Sequence, residues 1–154
     1  MENHKKIVVV VSGGFDPVHI GHVRMFNEAK ALGDELVVIL NNDNWLKKKK
    51  RYAFMPQEER KEIIEAFRAV DRVVFTHHSE NPTDMSVCEM LEKIHPDIFA
   101  QGGDRDNDDA HNTSSSLKPE YELCDRLGIK MMFNVGEGGK VQSSSWLIEK
   151  AQEK

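Results

Sequence analysis

Short apolar runs alternate with amphipathic stretches along the chain. Ile7-Val8-Val9-Val10-Val11 is β-branched, continuous and stopped by Ser12-Gly13-Gly14, which predicts a strand buried on both faces. Val23, Phe26, Ala29 and Leu32 then repeat at helical spacing up to Gly33. Leu36 to Leu40 reads as a second buried strand. Pro56 opens a second helix with Ile63, Ile64, Phe67 and Val70 on its stripe, and Val73-Val74-Phe75 is a third strand. Val87, Met90, Leu91 and Ile94 form a third helical stripe, stopped at His95-Pro96. Ile98-Phe99-Ala100 is a fourth strand, a short helix spans Glu120 to Leu127, and Ile129 to Val135 is a fifth strand. A last helix carries Trp146, Leu147 and Ala151.

Strands that alternate with helices require crossovers, hence an α/β fold: a doubly wound, Rossmann-like, mainly parallel sheet of five strands with helices on both faces. Such sheets bind ligands at the carboxyl ends of their strands. The polar segments 12–22, 41–51, 101–105 and 136–145 all follow strands, so the fold gathers them on one edge. Residues 105–116 are polar and read as a surface loop. The 154 residues fit a single domain, 1–154.

Composition narrows the classes. The formal net charge of -5 is a poor prior for nucleic-acid binding, so any anion site must be built locally. Cys88 and Cys124 form no C-x-x-C pair and suit a reducing compartment. Nothing resembles a targeting or membrane segment, so the expected location is the cytoplasm, with no membrane partner. The dinucleotide fingerprint G-x-G-x-x-G and the P-loop G-x-x-x-x-G-K are both missing, which disfavours a dehydrogenase and a P-loop NTPase.

The chemistry concentrates in the string from Gly13 to His22, GGFDPVHIGH. Glycines after a strand allow a ligand close to the backbone, and a helix start offers free N–H groups to a phosphate. His19 and His22 share a helical face, Gly21 leaves room between them, and two imidazoles can then donate to one phosphate group. A purely structural reading would make Asp16 a helix cap and leave the histidines on the surface. A zinc reading lacks a third ligand at suitable spacing. The basic run Lys47 to Arg51 follows the second strand, and serines 143–145 precede the last helix.

With its H-x-G-H motif intact, the sequence resembles the cytidylyltransferase-like nucleotidyltransferase superfamily from about Ile7 to Lys150. The resemblance implies that His19 and His22 contact a triphosphate and stabilise the transition state. It places a catalytic lysine in the basic loop, with Lys47 the first choice and Lys49 the second. It assigns nucleotide binding to Gly13, Gly14, Phe15, Asp16 and Gly21, to Arg68 of an R-x-V-D stretch, to Gly102-Gly103-Asp104, and to Ser143, Ser144 and Ser145, which lack the family's threonine. Glu59 and Arg60 fit its P-x-x-E-R stretch. The implied reaction joins NMP from CTP or ATP to a phosphorylated polyol, sugar or alcohol-amine, releases pyrophosphate and uses Mg²⁺. The R-x-V-D stretch leans towards CTP and G-G-D towards ATP. A homodimer is expected on the same ground. The competing class is a non-catalytic nucleotide sensor on this fold.

Overall fold

Continuous β-branched sequence makes the first strand the centre of the sheet, where both faces are covered. Val9, Val10 and Val11 are fully buried there. The computed structural model describes residues 5–102, 117–136, 148 and 150–152. Its elements are β1 (Val8–Gly13), α1 (Ile20–Lys30), β2 (Glu35–Leu40), α2 (Asp43–Lys50), α3 (Gln57–Glu65), β3 (Arg72–Phe75), α4 (Cys88–Ile94), β4 (Ile98–Gly102), α5 (Leu117–Leu127) and β5 (Lys130–Val135). The strand order is β3-β2-β1-β4-β5 and every neighbouring pair is parallel. The chain winds outward through β2 and β3, then returns to the other side of β1 for β4 and β5. This is the expected α/β doubly wound sheet, and its winding reverses between β1 and β4, the point at whose carboxyl ends such sheets bind ligands.

Alternation along the strands splits the core. Val9, Val11, Leu36, Val38 and Leu40 pack with Phe26 and Ala29 of α1 and Ile64 of α3. Val10, Val37, Ile39 and Phe99 face Met90 and Leu91 of α4 and Leu123 and Cys124 of α5. The opposite, amino-terminal edge is closed by aspartates. Asp34, Asp71 and Asp97 accept the N–H of Ile7, Leu36 and Val8, each at 2.8 Å.

Several elements differ from the sequence expectation. The basic segment after β2 is a helix, α2, and not a loop. Asn42 caps it by accepting the Trp45 N–H at 3.0 Å, and Leu46 anchors it with complete burial. In α3 only Ile64 of the predicted stripe is a buried helical residue. Ile63 is exposed, and Phe67 and Val70 reach the core from the turns after the helix has ended at Glu65. Helix α5 begins earlier than read, at Leu117, with Pro119 in a first turn that needs no N–H donor from it. Glu120 is buried there and accepts the Val87 N–H at 2.9 Å, tying α5 to the start of α4. The stop at His95 holds, in left-handed conformation with φ 48°. Of the last predicted helix, Ala151 is helical, and Trp146 and Leu147 lie outside the described residues. Among the described residues, no helix is long and apolar enough to cross a membrane.

Candidate active site

The turn from β1 into α1 brings the histidines together through the backbone. His19, not Asp16, is the N-cap of α1. Its Nδ1 accepts the Gly21 N–H at 3.1 Å, and His22 Nδ1 accepts the His19 N–H at 3.2 Å. This is a reciprocal capping box built from two imidazoles. The rings stack with centroids 3.7 Å apart and planes 24° from parallel. Because each Nδ1 accepts a backbone N–H, a ring in its neutral form carries its proton on Nε2. The pair therefore presents two N–H donors of fixed tautomer beside the carboxyl end of β1.

His22 is held neutral. Its pKa falls from the ordinary 6.5 to about 3, first through burial, then through the charges of His19 and Lys50. The hydrogen bond agrees with this direction, since a second proton would have to occupy Nδ1, where a backbone N–H already points. Phe15 supplies part of the burial, with its ring edge-on to His22 at 4.8 Å and to Phe26 at 5.2 Å.

The two glycines ahead of the histidines serve the protein's own packing. Phe15 adopts φ 50°, a strained backbone for an aromatic residue, and folds its ring against Gly13. A Cβ on Gly13 would lie 2.9 Å from that ring, and one on Gly14 would lie 2.8 Å from Leu46 Cδ2 of α2. The sequence reading gave these positions, with Phe15 and Asp16, to the nucleotide. Phe15 is instead a buried ring. Asp16 is buried too, and its carboxylate accepts the N–H groups of Phe54 at 2.5 Å and Met55 at 2.7 Å. Gly21 stays in the first turn of α1, its N–H spent on His19.

Helix geometry redistributes the lysines. Lys50 lies four residues after buried Leu46, hence on the same face of α2, and its charge reaches His22. Lys47, Lys48 and Lys49 are exposed. Lys48 donates to Asn81 Oδ1 at 2.7 Å. Lys50, which the sequence did not single out, is the lysine whose charge acts on His22.

Arg60 and Arg68 part company. Arg60 is fully buried and donates to the carbonyls of Met55 (2.9 Å), Gly14 (2.8 Å) and Asn41 (2.8 Å) and to Asp43 Oδ1 (2.7 Å). It clamps the β1 turn, the end of β2, the start of α2 and the segment before α3. Arg68 is exposed in the turn ahead of β3, on the amino-terminal edge. Its motif partner Asp71 binds Lys30 there at 2.5 Å. That edge faces away from the histidines, so the expected nucleotide contact from Arg68 is not supported by its position.

Gly102 ends β4 on the site edge, where a Cβ would make only ordinary contact with Met25 at 3.5 Å. Gly103, Asp104, Ser143, Ser144 and Ser145 lie outside the described residues. Asn41 and Gln101, which open the polar segments 41–51 and 101–105 read from the sequence, lie at the carboxyl ends of the two strands flanking β1. Asn41 Oδ1 and Gln101 Nε2 are buried and find no hydrogen-bond partner among the described residues. Buried polar atoms are rarely left so.

Comparison with known proteins agrees with this geometry. The family described as "Cytidylyltransferase-like" matches residues 10–147. The chain is 42% identical over 109 residues to an FAD synthase of Pyrococcus abyssi, covering 70% of each chain. It is 39% identical over 123 residues to an FAD synthase of Thermococcus sibiricus, covering 79% of this chain and 76% of that one. Among solved structures, a lipopolysaccharide core biosynthesis protein from Thermoplasma volcanium superposes with a TM-score of 0.63 at 27% identity, over 84% of this chain and 95% of that one. With the H-x-G-H pair set at the switch point of a doubly wound sheet, the chain belongs to the cytidylyltransferase-like family and is a pyrophosphate-releasing nucleotidyltransferase.

Proposed function

We propose that this enzyme transfers AMP from ATP to FMN, giving FAD and pyrophosphate. The observation that carries the reading is the likeness to FAD synthases, at 42% identity over 109 residues. FMN is itself a phosphate ester on a polyol chain, so it meets the chemical class expected from the sequence while replacing sugars and alcohol-amines as acceptor. ATP takes the place left open between CTP and ATP.

In the step, an oxygen of the FMN phosphate attacks the α-phosphorus of ATP in line. A new P–O bond forms, the bond from the α-phosphorus to the bridging oxygen breaks, and pyrophosphate leaves with that electron pair. A phosphate monoester is already largely ionised near neutral pH, its second pKa being about 6. No general base is needed, and catalysis reduces to positioning and charge stabilisation. His19 and His22 donate from Nε2 to phosphate oxygens whose charge grows as the bond breaks. Neutral His22 keeps this role across the physiological range, because its proton is not one that titrates there. Lys50 offsets the accumulated negative charge. No group of three or more His, Cys, Asp or Glu side chains among the described residues is arranged to hold a metal. Mg²⁺ would enter with the triphosphate, its usual carrier, and neutralise phosphate charge there.

The test is direct. The purified protein is incubated with Mg²⁺, FMN and either ATP or CTP, and FAD is quantified by chromatography. FAD should form with ATP and pyrophosphate should appear in equal amount. His22→Ala should lower kcat on the order of a hundredfold, as when one transition-state donor is lost. Absence of FAD, or wild-type rates in both His19→Ala and His22→Ala, would refute the reading.

A further inference from the structure

The segment from Arg51 to Pro56 is fixed more firmly than a surface connection requires. Two buried charged side chains end on it: the Asp16 carboxylate accepts the Phe54 and Met55 N–H groups, and Arg60 Nε donates to the Met55 carbonyl at 2.9 Å. Exposure alternates along it, with Ala53 and Met55 half-buried and Tyr52 and Phe54 turned outward. Tyr52 is 44% exposed and Phe54 56%. Ile20, next to His19, is 50% exposed. A rigid loop thus holds two aromatic rings in water, although large apolar side chains are ordinarily withdrawn from it.

Their place explains the arrangement. Tyr52 follows Lys50 by two residues, so its Cα is at most about 7.6 Å from that of the lysine whose charge acts on His22. Phe54 is hydrogen-bonded through its backbone to Asp16, three residues before His19. We infer that Tyr52 and Phe54 form a preorganised stacking platform for the planar heteroaromatic ring of the acceptor, whose phosphate lies towards Lys50 and the histidine pair. The inference rests on FMN as acceptor. Aromatic faces bind flat rings without needing specific hydrogen bonds, and a loop rigid before binding loses little entropy on binding. Three exposed apolar side chains fall short of the about 800 Å² that a stable interface covers on each partner.

Flavin fluorescence reads the contact, because stacking on an aromatic ring quenches it. FMN is titrated into the full-length wild type and into the double variant Tyr52→Ala/Phe54→Ala, with ATP binding measured alongside by calorimetry. The double variant should bind FMN at least about tenfold more weakly and lose the quenching, the range seen when a stacking aromatic is truncated. Its affinity for ATP should be unchanged. Tyr52→Phe/Phe54→Tyr, which keeps both rings, should restore FMN binding. An FMN affinity within twofold of wild type in the double alanine variant overturns the inference, whether or not FAD synthesis is intact. So does a double variant whose oligomeric state in sedimentation differs from that of the wild type while its FMN affinity is kept. A wild type that binds and quenches FMN yet makes no FAD would refute the proposed reaction while upholding the platform. A wild type that neither binds FMN nor makes FAD would overturn both.

Discussion

Lowering the pH from 7 to 5 should withdraw about 2 kcal/mol of folding stability through His22 alone. In the folded protein its pKa is about 3, against an ordinary 6.5. As the pH falls below 6.5 the unfolded chain takes up a proton that the folded chain refuses until about 3. The unfolded state therefore binds more protons throughout that window, and stability rises with pH across it. Each pH unit inside the window is worth about 1.36 kcal/mol, and pH 5 lies about 1.5 units inside it, hence about 2 kcal/mol. The size depends only on the folded pKa lying below the lower pH. Asp71, Asp97 and Glu89 also have lowered pKa values, but their ordinary values of 3.8, 3.8 and 4.5 put most of their effect below pH 5. Urea unfolding at both pH values, for wild type and His22→Gln, isolates the histidine. Glutamine is a natural choice at this capping-box position, because its side-chain oxygen can still accept the His19 N–H. The wild type should lose about 2 kcal/mol more than the variant between pH 7 and 5. Equal losses would refute the argument, as would an NMR titration of the His22 ring with a midpoint near 6.5.

Other consequences are testable in the same preparations. Arg60→Met should destabilise the fold by about 3–5 kcal/mol, because Asp43 and three carbonyls lose their common donor; a loss under about 1 kcal/mol in urea unfolding would contradict the clamp. Gly14→Ala should cost about 1–3 kcal/mol by driving a Cβ into Leu46, and melting measurements that find it neutral would show that α2 yields there. Lys50→Ala should lower kcat about a hundredfold, while Lys47→Ala, on an exposed position, should stay within about threefold; steady-state assays that reverse this order would return the role to the earlier lysine.

The sequence disclosed the sheet because its strands are buried on both faces and its connections are helical, and each fact writes itself into local composition. Val9 to Val11 and Leu36 to Leu40 need no tertiary information to be recognised. The histidine pair was legible for a related reason, since its spacing and the helix start that orients it are contiguous in the chain. Its tautomers were not, because they depend on which backbone N–H each Nδ1 accepts. Nor was the work of Gly14, which meets Leu46, and of Arg60, which reaches Gly14 across 46 residues.

The lysine run shows where reading by sequence stops and what resolves it. Four consecutive lysines offer no contrast in composition, and a loop would leave every one of them able to reach the site. Once Asn42 caps a helix and Leu46 sinks into the core, rotation of about 100° per residue ranks them. Lys48 is turned to the far side of α2, where it meets Asn81, and Lys50 returns to the buried face beside His22. The same packing that forbids a side chain on Gly14 thus orients Lys50: Leu46 fills the space over that glycine and sets the rotation of α2. A bulky residue at 14 should therefore disturb catalysis through Lys50 as well as stability, and it should do so without touching either histidine.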